Sequence, residues 1–140
     1  PAPYSTDLNV NNFTYAATNN AGISQPHGIG FVWATMLWDM TWALIDDYGF
    51  DPNMATGSGG NNIAMNLVTT ALKLQPCSPG FVDGRDAILD ADQLLYNGAH
   101  ECLIWTAFAN RGLGYSANQG SSSSRFDQVE ASICLQDLIQ

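Results

Sequence analysis

The sequence predicts a mainly α-helical protein with about four to five helices around one long, buried central helix. The first reason is the stretch from His27 to Tyr48, where apolar side chains recur every three or four residues. The second is that Pro and Gly residues separate this stretch from three further apolar segments of helical length. No segment shows a convincing strand pattern. With 140 residues, 46% of them hydrophobic, the chain can build one compact core.

The central helix has well-marked predicted limits. Ser24 offers a capping side chain and Pro26 suits a first helical turn, whereas Gly49 ends the helix. Trp38 and Trp42 lie off the main apolar stripe, so the helix is apolar on more than one face and we expect it to be buried at the centre of the domain. The stripe itself consists of Ile29, Val32, Trp33, Met36, Leu37, Met40, Leu44 and Ile45.

Three shorter helices are predicted over residues 61–74, 78–95 and 99–110. Each is bounded by Pro or Gly, the residues that most often stop a helix. Each also carries apolar side chains at helical spacing, which we expect to face the core. These inward side chains are Ile63, Leu67, Ala71, Leu74, Phe81, Ile88, Leu95, Leu103, Ile104, Ala107 and Phe108.

The predicted organisation is a single helical domain over residues 1–140. Residues 1–23 form an irregular lead-in rich in Asn, Thr, Tyr and Ala, and residues 24–112 form the helical core. Residues 113–140 form a Ser/Gly-rich loop and a C-terminal tail. Within them, the run 114–124 has the composition of a mobile loop.

The charge balance limits the partners. Asp and Glu number 13 against 4 Lys and Arg, a formal net charge of -9. A nucleic-acid partner and an anionic membrane surface both require basic surface, so neither is expected. No apolar run reaches the ~20 residues of a membrane span. The chain begins at Pro1, so we expect a processed or excised form, for which the missing signal peptide carries no information.

Two histidines are the first candidates for chemistry. His27 lies at the start of the central helix beside Gly28 and Gly30, whose small size leaves room for a substrate or for another backbone. A histidine in this position is compatible with a structural or a catalytic role, and spacing alone does not separate them. His100 lies between the third and fourth helices, where we expect it to be solvated.

The acidic residues suggest one weaker site. Asp46 and Asp47 oppose the dipole at the C-terminal end of the central helix, and with Asp51 they could hold a calcium ion. We expect Arg85 and Arg111 to pair with acids of the third helix. The sequence lacks a His-Glu-x-x-His zinc motif, a phosphate loop and a Gly-x-Ser-x-Gly elbow.

Six blocks of the sequence together resemble the fungalysin family of secreted metallopeptidases, relatives of the thermolysin-like enzymes. They occur in the family's order and cover residues 3–114. The blocks are PYSTD (3–7), HGIGFVWATMLW (27–38), GNN (60–62), LKLQPC (72–77), FVDGRDAI (81–88) and WTAFANRGLG (105–114).

The resemblance implies a thermolysin-like C-terminal helical lobe of a secreted, extracellular zinc metalloendopeptidase. Its partners would be the N-terminal lobe, which carries the zinc motif, and a peptide or protein substrate in the cleft between the lobes. The zinc ligands and the general-base glutamate of the family lie upstream of the matched region, so this chain by itself is expected to be inactive and to bind no zinc tightly. What carries over is His27, which resembles the histidine that donates a hydrogen bond to the oxyanion of the tetrahedral intermediate. Many relatives have glutamate where this chain has Phe31.

Two alternatives remain open at this point. Relatives share Cys77 and Cys102, which implies a bridge between them, but a simple helical hairpin would hold them roughly 20 Å apart. Pairing of Cys77 with Cys134, or three free thiols, are the other possibilities. The alternative to an enzyme lobe is a non-catalytic helical binding or inhibitory module derived from the same fold.

Overall fold

The computed structural model describes residues 2–121 and 123–134. It confirms the mainly α-helical class, with four α-helices and a short 3-10 helix at Tyr15–Asn19. The helices are α1 (His27–Tyr48), α2 (Gly60–Leu74), α3 (Phe81–Tyr96) and α4 (Glu101–Asn110). Within the described ranges there is no β-strand, only two isolated bridges that join residues 113 and 118 to residues 131 and 129.

Helix α1 is the centre of the fold but is not buried all round. It packs against α2 and α4, and Val32, Met36, Met40 and Leu44 are fully buried there. Its opposite face is open, since Trp42 is 41% exposed, so the expectation of burial on every side is wrong. The helix is also long and apolar enough, by length and composition alone, to cross a membrane. This criterion alone is weak evidence for a membrane span.

The crossing of α1 and α2 depends on a glycine. A Cβ atom at Gly60 would lie 2.2 Å from the backbone carbonyl carbon and oxygen of Leu44, so only glycine fits at this contact. The next residue holds the loop before α2, because the Asn61 side chain accepts a hydrogen bond from the Asp51 N–H (3.0 Å) and donates one to the Asp51 carbonyl (2.8 Å). Asn62 likewise donates to the carbonyl of Asn53 at 2.9 Å. These contacts explain the Gly-Asn-Asn block.

Three side chains lie elsewhere than expected. Leu74 and Leu95 are each 44% exposed, although apolar spacing placed them inward. Both lie in the last turn of a helix, where spacing does not reveal whether a neighbour covers the side chain. His100 is buried, not solvated. Its Nδ1 lies 2.6 Å from Oδ1 of the buried Asp92, and the edges of Tyr48 and Tyr96 close the site.

Arg111 ties the irregular lead-in to the helices. Its side chain is fully buried and pairs with Asp39 of α1, at 2.5 Å from Nε to Oδ2. The expected partner on the third helix was therefore wrong for Arg111. The guanidinium also donates hydrogen bonds to the backbone carbonyls of Ser5, Asn11 and Phe13. One side chain thus fixes two separate parts of the lead-in.

Arg85 likewise holds the C-terminal segment against the helices. It pairs with Asp86 at 2.6 Å, as expected, and donates to the carbonyls of Leu113 and Gly114. Its guanidinium lies over the Trp105 ring at 4.6 Å from the centroid. Backbone hydrogen bonds then join residues 114, 115 and 118 to residues 131, 133 and 129. Part of the predicted mobile loop is therefore held in place, whereas residues 122 and 135–140 lie outside the described residues.

The cysteines do not pair as the resemblance implied. Cys77 and Cys102 are exposed free thiols, so neither a Cys77–Cys102 nor a Cys77–Cys134 bridge is formed in the structure. Cys77 precedes α3 and Cys102 follows it, and that helix of 16 residues is roughly 24 Å long. Cys134 is buried beside Trp105.

We predict opposite effects for alanine at two helical glycines. Gly60→Ala should lower the free energy of unfolding by about 1–3 kcal/mol, because the new Cβ meets the α1 backbone. Gly30→Ala should instead raise it by about 0.5–1 kcal/mol, because a Cβ at Gly30 meets no atom within 4 Å and alanine favours the helix. Urea unfolding of both variants measures the difference. Equal effects would contradict this account of the crossing.

We also predict that the protein loses stability at high pH through Tyr15. Burial raises the pKa of Tyr15 to about 12, partly offset by the charge of Arg85. The unfolded chain releases this proton near pH ~10, so the free energy of unfolding should fall between about pH 10 and pH 12, by at most about 1.4 kcal/mol per pH unit. Tyr15→Phe should remove that part of the slope. The exposed Tyr4, changed to Phe, is the control and should leave the slope intact.

Candidate functional site

His27 is the first residue of α1 and is exposed. The chain reaches it through a turn with a cis peptide bond between Gln25 and Pro26. Pro26 occupies the capping position without a side-chain cap, and Ser24 instead accepts the Gly28 N–H through its carbonyl at 2.9 Å and its hydroxyl at 3.2 Å. The turn therefore fixes the backbone on both sides of His27.

The two glycines beside His27 have different roles. A Cβ at Gly28 would lie 2.7 Å from a methyl carbon of Ile23 and 3.1 Å from the Ser24 hydroxyl, so this glycine lets the preceding turn pack closely on the helix. At Gly30 there is open space on the outer side of the helix. Gly30 therefore leaves room for a bound molecule, whereas Gly28 leaves room for another part of the backbone, and the sequence suggested both possibilities.

A cavity of about 600 Å³ opens beside His27. Aromatic side chains form one wall, with the Tyr4 and Phe13 rings each 5.2 Å from the Phe31 ring. Phe31 follows His27 by one helical turn, so the two side chains share a face of α1. The cavity is lined by Tyr4, Phe13, Gly22, Ile23, Ser24, Pro26, His27, Gly28, Gly30 and Phe31.

The aromatic wall is held from behind by buried polar groups. Arg111 donates hydrogen bonds to the carbonyl of Ser5, which follows the wall residue Tyr4, and to the carbonyl of Phe13, which is itself a wall residue. The fully buried Asn11 donates to the carbonyl of Pro3 (3.2 Å) and to the Thr35 hydroxyl (3.3 Å). Lead-in residues that form no regular secondary structure are thereby placed against α1.

Most of the surface that lines the cavity is apolar. Among its lining side chains, only His27 and Tyr4 are ionisable. Because position 31 is Phe, the cavity lining has no carboxylate one helical turn from the histidine. Within the described residues, neither ring nitrogen of His27 makes a hydrogen bond, so the imidazole is available to donate one to a bound oxygen.

The structure separates the other candidates from this cavity. His100 is buried against Asp92 and lies outside the cavity lining. Asp51 accepts hydrogen bonds from the Asn53 and Ser58 N–H groups in its own loop. In the parts of the chain that the structure describes, no three His, Cys, Asp or Glu side chains come together as a metal site. A calcium role for Asp46, Asp47 and Asp51 stays an untested prediction.

Sequence reasoning found His27 but missed the wall beside it. Tyr4 and Phe13 belong to a lead-in without periodicity, so no pattern connected them with the helix. Phe31 was noted only as a departure from relatives. The one available signal was that Tyr4 and Phe31 both fall inside blocks of the resemblance.

Comparison with known proteins gives a consistent result. Residues 1–117 match the family model described as fungalysin metallopeptidase (M36). "Extracellular metalloproteinase 3" of Arthroderma otae is 49% identical over 120 residues, covering 81% of this chain and 19% of that protein. "Extracellular metalloproteinase MEP" of Pyricularia oryzae is 45% identical over 141 aligned positions, covering 94% of this chain and 22% of that protein. The chain thus spans about a fifth of the length of the curated relatives it matches.

Proposed function

The chain belongs to the fungalysin metallopeptidases, and from that premise we propose that it is the C-terminal lobe of a secreted zinc endopeptidase. The observation that carries the proposal is His27, whose imidazole makes no hydrogen bond within the described residues, lies at the start of a family-matched helix and lines an open cavity. The names of the relatives support extracellular proteolysis as the activity. Peptide or protein chains would be the substrates.

In this proposal the chain supplies one wall of the substrate cleft. The proposal assigns the metal and its ligands to an N-terminal lobe, within the length of the relatives that this chain does not span. Zinc supplies Lewis-acid chemistry and an activated water in such enzymes. Within this chain, the cavity beside His27 accepts part of the substrate, and its apolar wall excludes water from the side where His27 acts.

His27 would act on the transition state. When a peptide bond is attacked, the carbonyl oxygen of the scissile bond gains negative charge, and a fixed donor near that oxygen stabilises it. His27 is suited to this role because the turn at residues 24–28 fixes its backbone and because no described residue forms a hydrogen bond with its ring. A donor that interacts mainly with the charged oxygen raises kcat more than it improves substrate binding.

We predict that the isolated 140-residue chain folds but hydrolyses no peptide and binds no zinc tightly. The described residues contain no cluster of three metal-ligating side chains, and an isolated histidine binds zinc weakly. Isothermal titration with zinc and an assay on casein measure both properties. A stoichiometric sub-micromolar zinc site, or casein hydrolysis by the isolated chain, would contradict the assignment of the metal to the other lobe.

The catalytic role of His27 can be tested in a chimera that carries this chain in place of the matching segment of the Arthroderma otae enzyme. His27→Ala should lower kcat by on the order of 10²–10³, with a much smaller change in KM. His27→Asn, which keeps a donor, should retain part of the activity.

The control for this experiment is the second histidine. Because His27 is exposed, its removal should leave the thermal midpoint near that of the parent chimera. His100→Ala should instead lower the midpoint, because it leaves the buried Asp92 unpaired, while the folded fraction keeps its kcat. If His27→Ala keeps full activity, the catalytic role fails. A chimera without any activity would favour the non-catalytic module.

A further inference from the structure

The lead-in contains an acceptor motif for N-linked glycosylation. Asn12-Phe13-Thr14 fits the pattern Asn-x-Ser/Thr with a residue other than proline in the middle, and this pattern occurs once in the 140 residues. Such motifs are modified only where the asparagine enters the secretory pathway and is reachable. The location of Asn12 in the fold therefore decides whether a glycan can be carried there.

The structure places the Asn12 side chain at the surface. Asn12 is exposed, while its neighbours Asn11 and Phe13 face the protein. Asn11 is fully buried and hydrogen-bonded to Thr35, and Phe13 packs edge-on against Phe31. Within the described residues, the Asn12 amide makes no hydrogen bond. A large substituent on its nitrogen would therefore extend into solvent without breaking a contact.

Folding engages the rest of the motif. The Thr14 hydroxyl donates to Oε2 of Glu130 at 2.9 Å, and the same oxygen accepts the Ala16 N–H at 3.1 Å. Arg111 holds the carbonyls of the residues on both sides of Asn12. The transferase needs a flexible motif with a free hydroxyl, so the transfer must precede folding, and the folded chain must then accommodate the product.

We propose that Asn12 carries an N-linked glycan, an inference that rests on the secretion included in the proposed function. In the reaction, the Asn12 amide nitrogen attacks C1 of the first sugar of a lipid-linked oligosaccharide diphosphate. The new N–C bond replaces the C1–O bond to the diphosphate, which leaves with its electron pair, and the amide gives up one proton. No oxidant or reductant is needed.

The glycan would lie at the rim of the His27 cavity. Asn12 precedes Phe13, which belongs to the aromatic wall, but Asn12 itself does not line the cavity. The sugar would therefore hydrate the edge of an apolar surface without filling the space beside His27. It would also lie over the part of the lead-in that Arg111 anchors.

The test is expression of this chain in yeast behind a supplied signal sequence, which provides the secretory route whatever the native protein does. We expect the secreted chain to shift to higher mobility on gels after treatment with peptide N-glycosidase F. The enzyme converts a glycosylated Asn to Asp, and mass spectrometry should find this change at Asn12. The peptides that contain Asn9 and Asn20, which lie outside any acceptor motif, are internal controls.

Two matched variants sharpen the result. Thr14→Ser keeps the hydroxyl and should keep the glycan, whereas Thr14→Val removes the hydroxyl at similar size and should abolish it. A secreted wild-type chain with unmodified Asn12 would overturn the proposal, as would a glycan that survives Thr14→Val. The proposed function is judged separately by the kcat of the chimera, so the two can fail independently.

Discussion

The ion pair between Arg111 and Asp39 is the interaction on which the rest of the structure depends. A guanidinium removed from water costs several kcal/mol unless its charge and its donors are all engaged. Here the carboxylate of α1 balances the charge, and the carbonyls of Ser5, Asn11 and Phe13 take the remaining donors. Because these carbonyls belong to the lead-in, satisfying the buried arginine requires the lead-in to lie against the helices.

The hydrogen bonds of the buried Arg111 also determine the shape of the candidate site. Tyr15 anchors the end of the lead-in in the core, whereas Leu8 and Val10, nearer its start, are about half exposed. Arg111 nevertheless places Tyr4 and Phe13 beside Phe31, and this aromatic wall bounds the cavity into which His27 faces. The chemistry of the site and the stability of the fold are therefore linked through a residue that lies far from His27 in the sequence and does not line the cavity.

The sequence predicted the parts of this structure that depend on local pattern. Apolar spacing gave α1 its observed limits, His27–Tyr48, and the beginning of that helix located His27. Local sequence pattern could not predict which residues far apart in the sequence contact each other. Arg111 and Asp39 are 72 positions apart, and nothing in the local sequence of His100 indicates that Asp92 will cover it. Whether a side chain in the last turn of a helix is exposed, as Leu95 is, likewise depends on which other parts of the chain pack beside it.

In the proposed function, the His27 cavity forms one half of a substrate cleft. Its histidine can donate a hydrogen bond, and its wall can exclude water, but neither group can attack a peptide bond. The rings of Tyr4, Phe13 and Phe31 make the cavity beside His27 largely apolar.

Hydrogen–deuterium exchange of the Arg111→Lys variant tests the role of Arg111 most directly. Lysine keeps the charge but cannot reach Asp39 and three carbonyls at once. We expect the hydrogen-bonded lead-in amides of Val10, Asn11 and Phe13 to exchange much faster in this variant, while those of α2 and α3 stay protected. Arg85→Lys is the matched control and should instead loosen residues 113–115. Unchanged protection of the Val10, Asn11 and Phe13 amides in Arg111→Lys would contradict this role of Arg111.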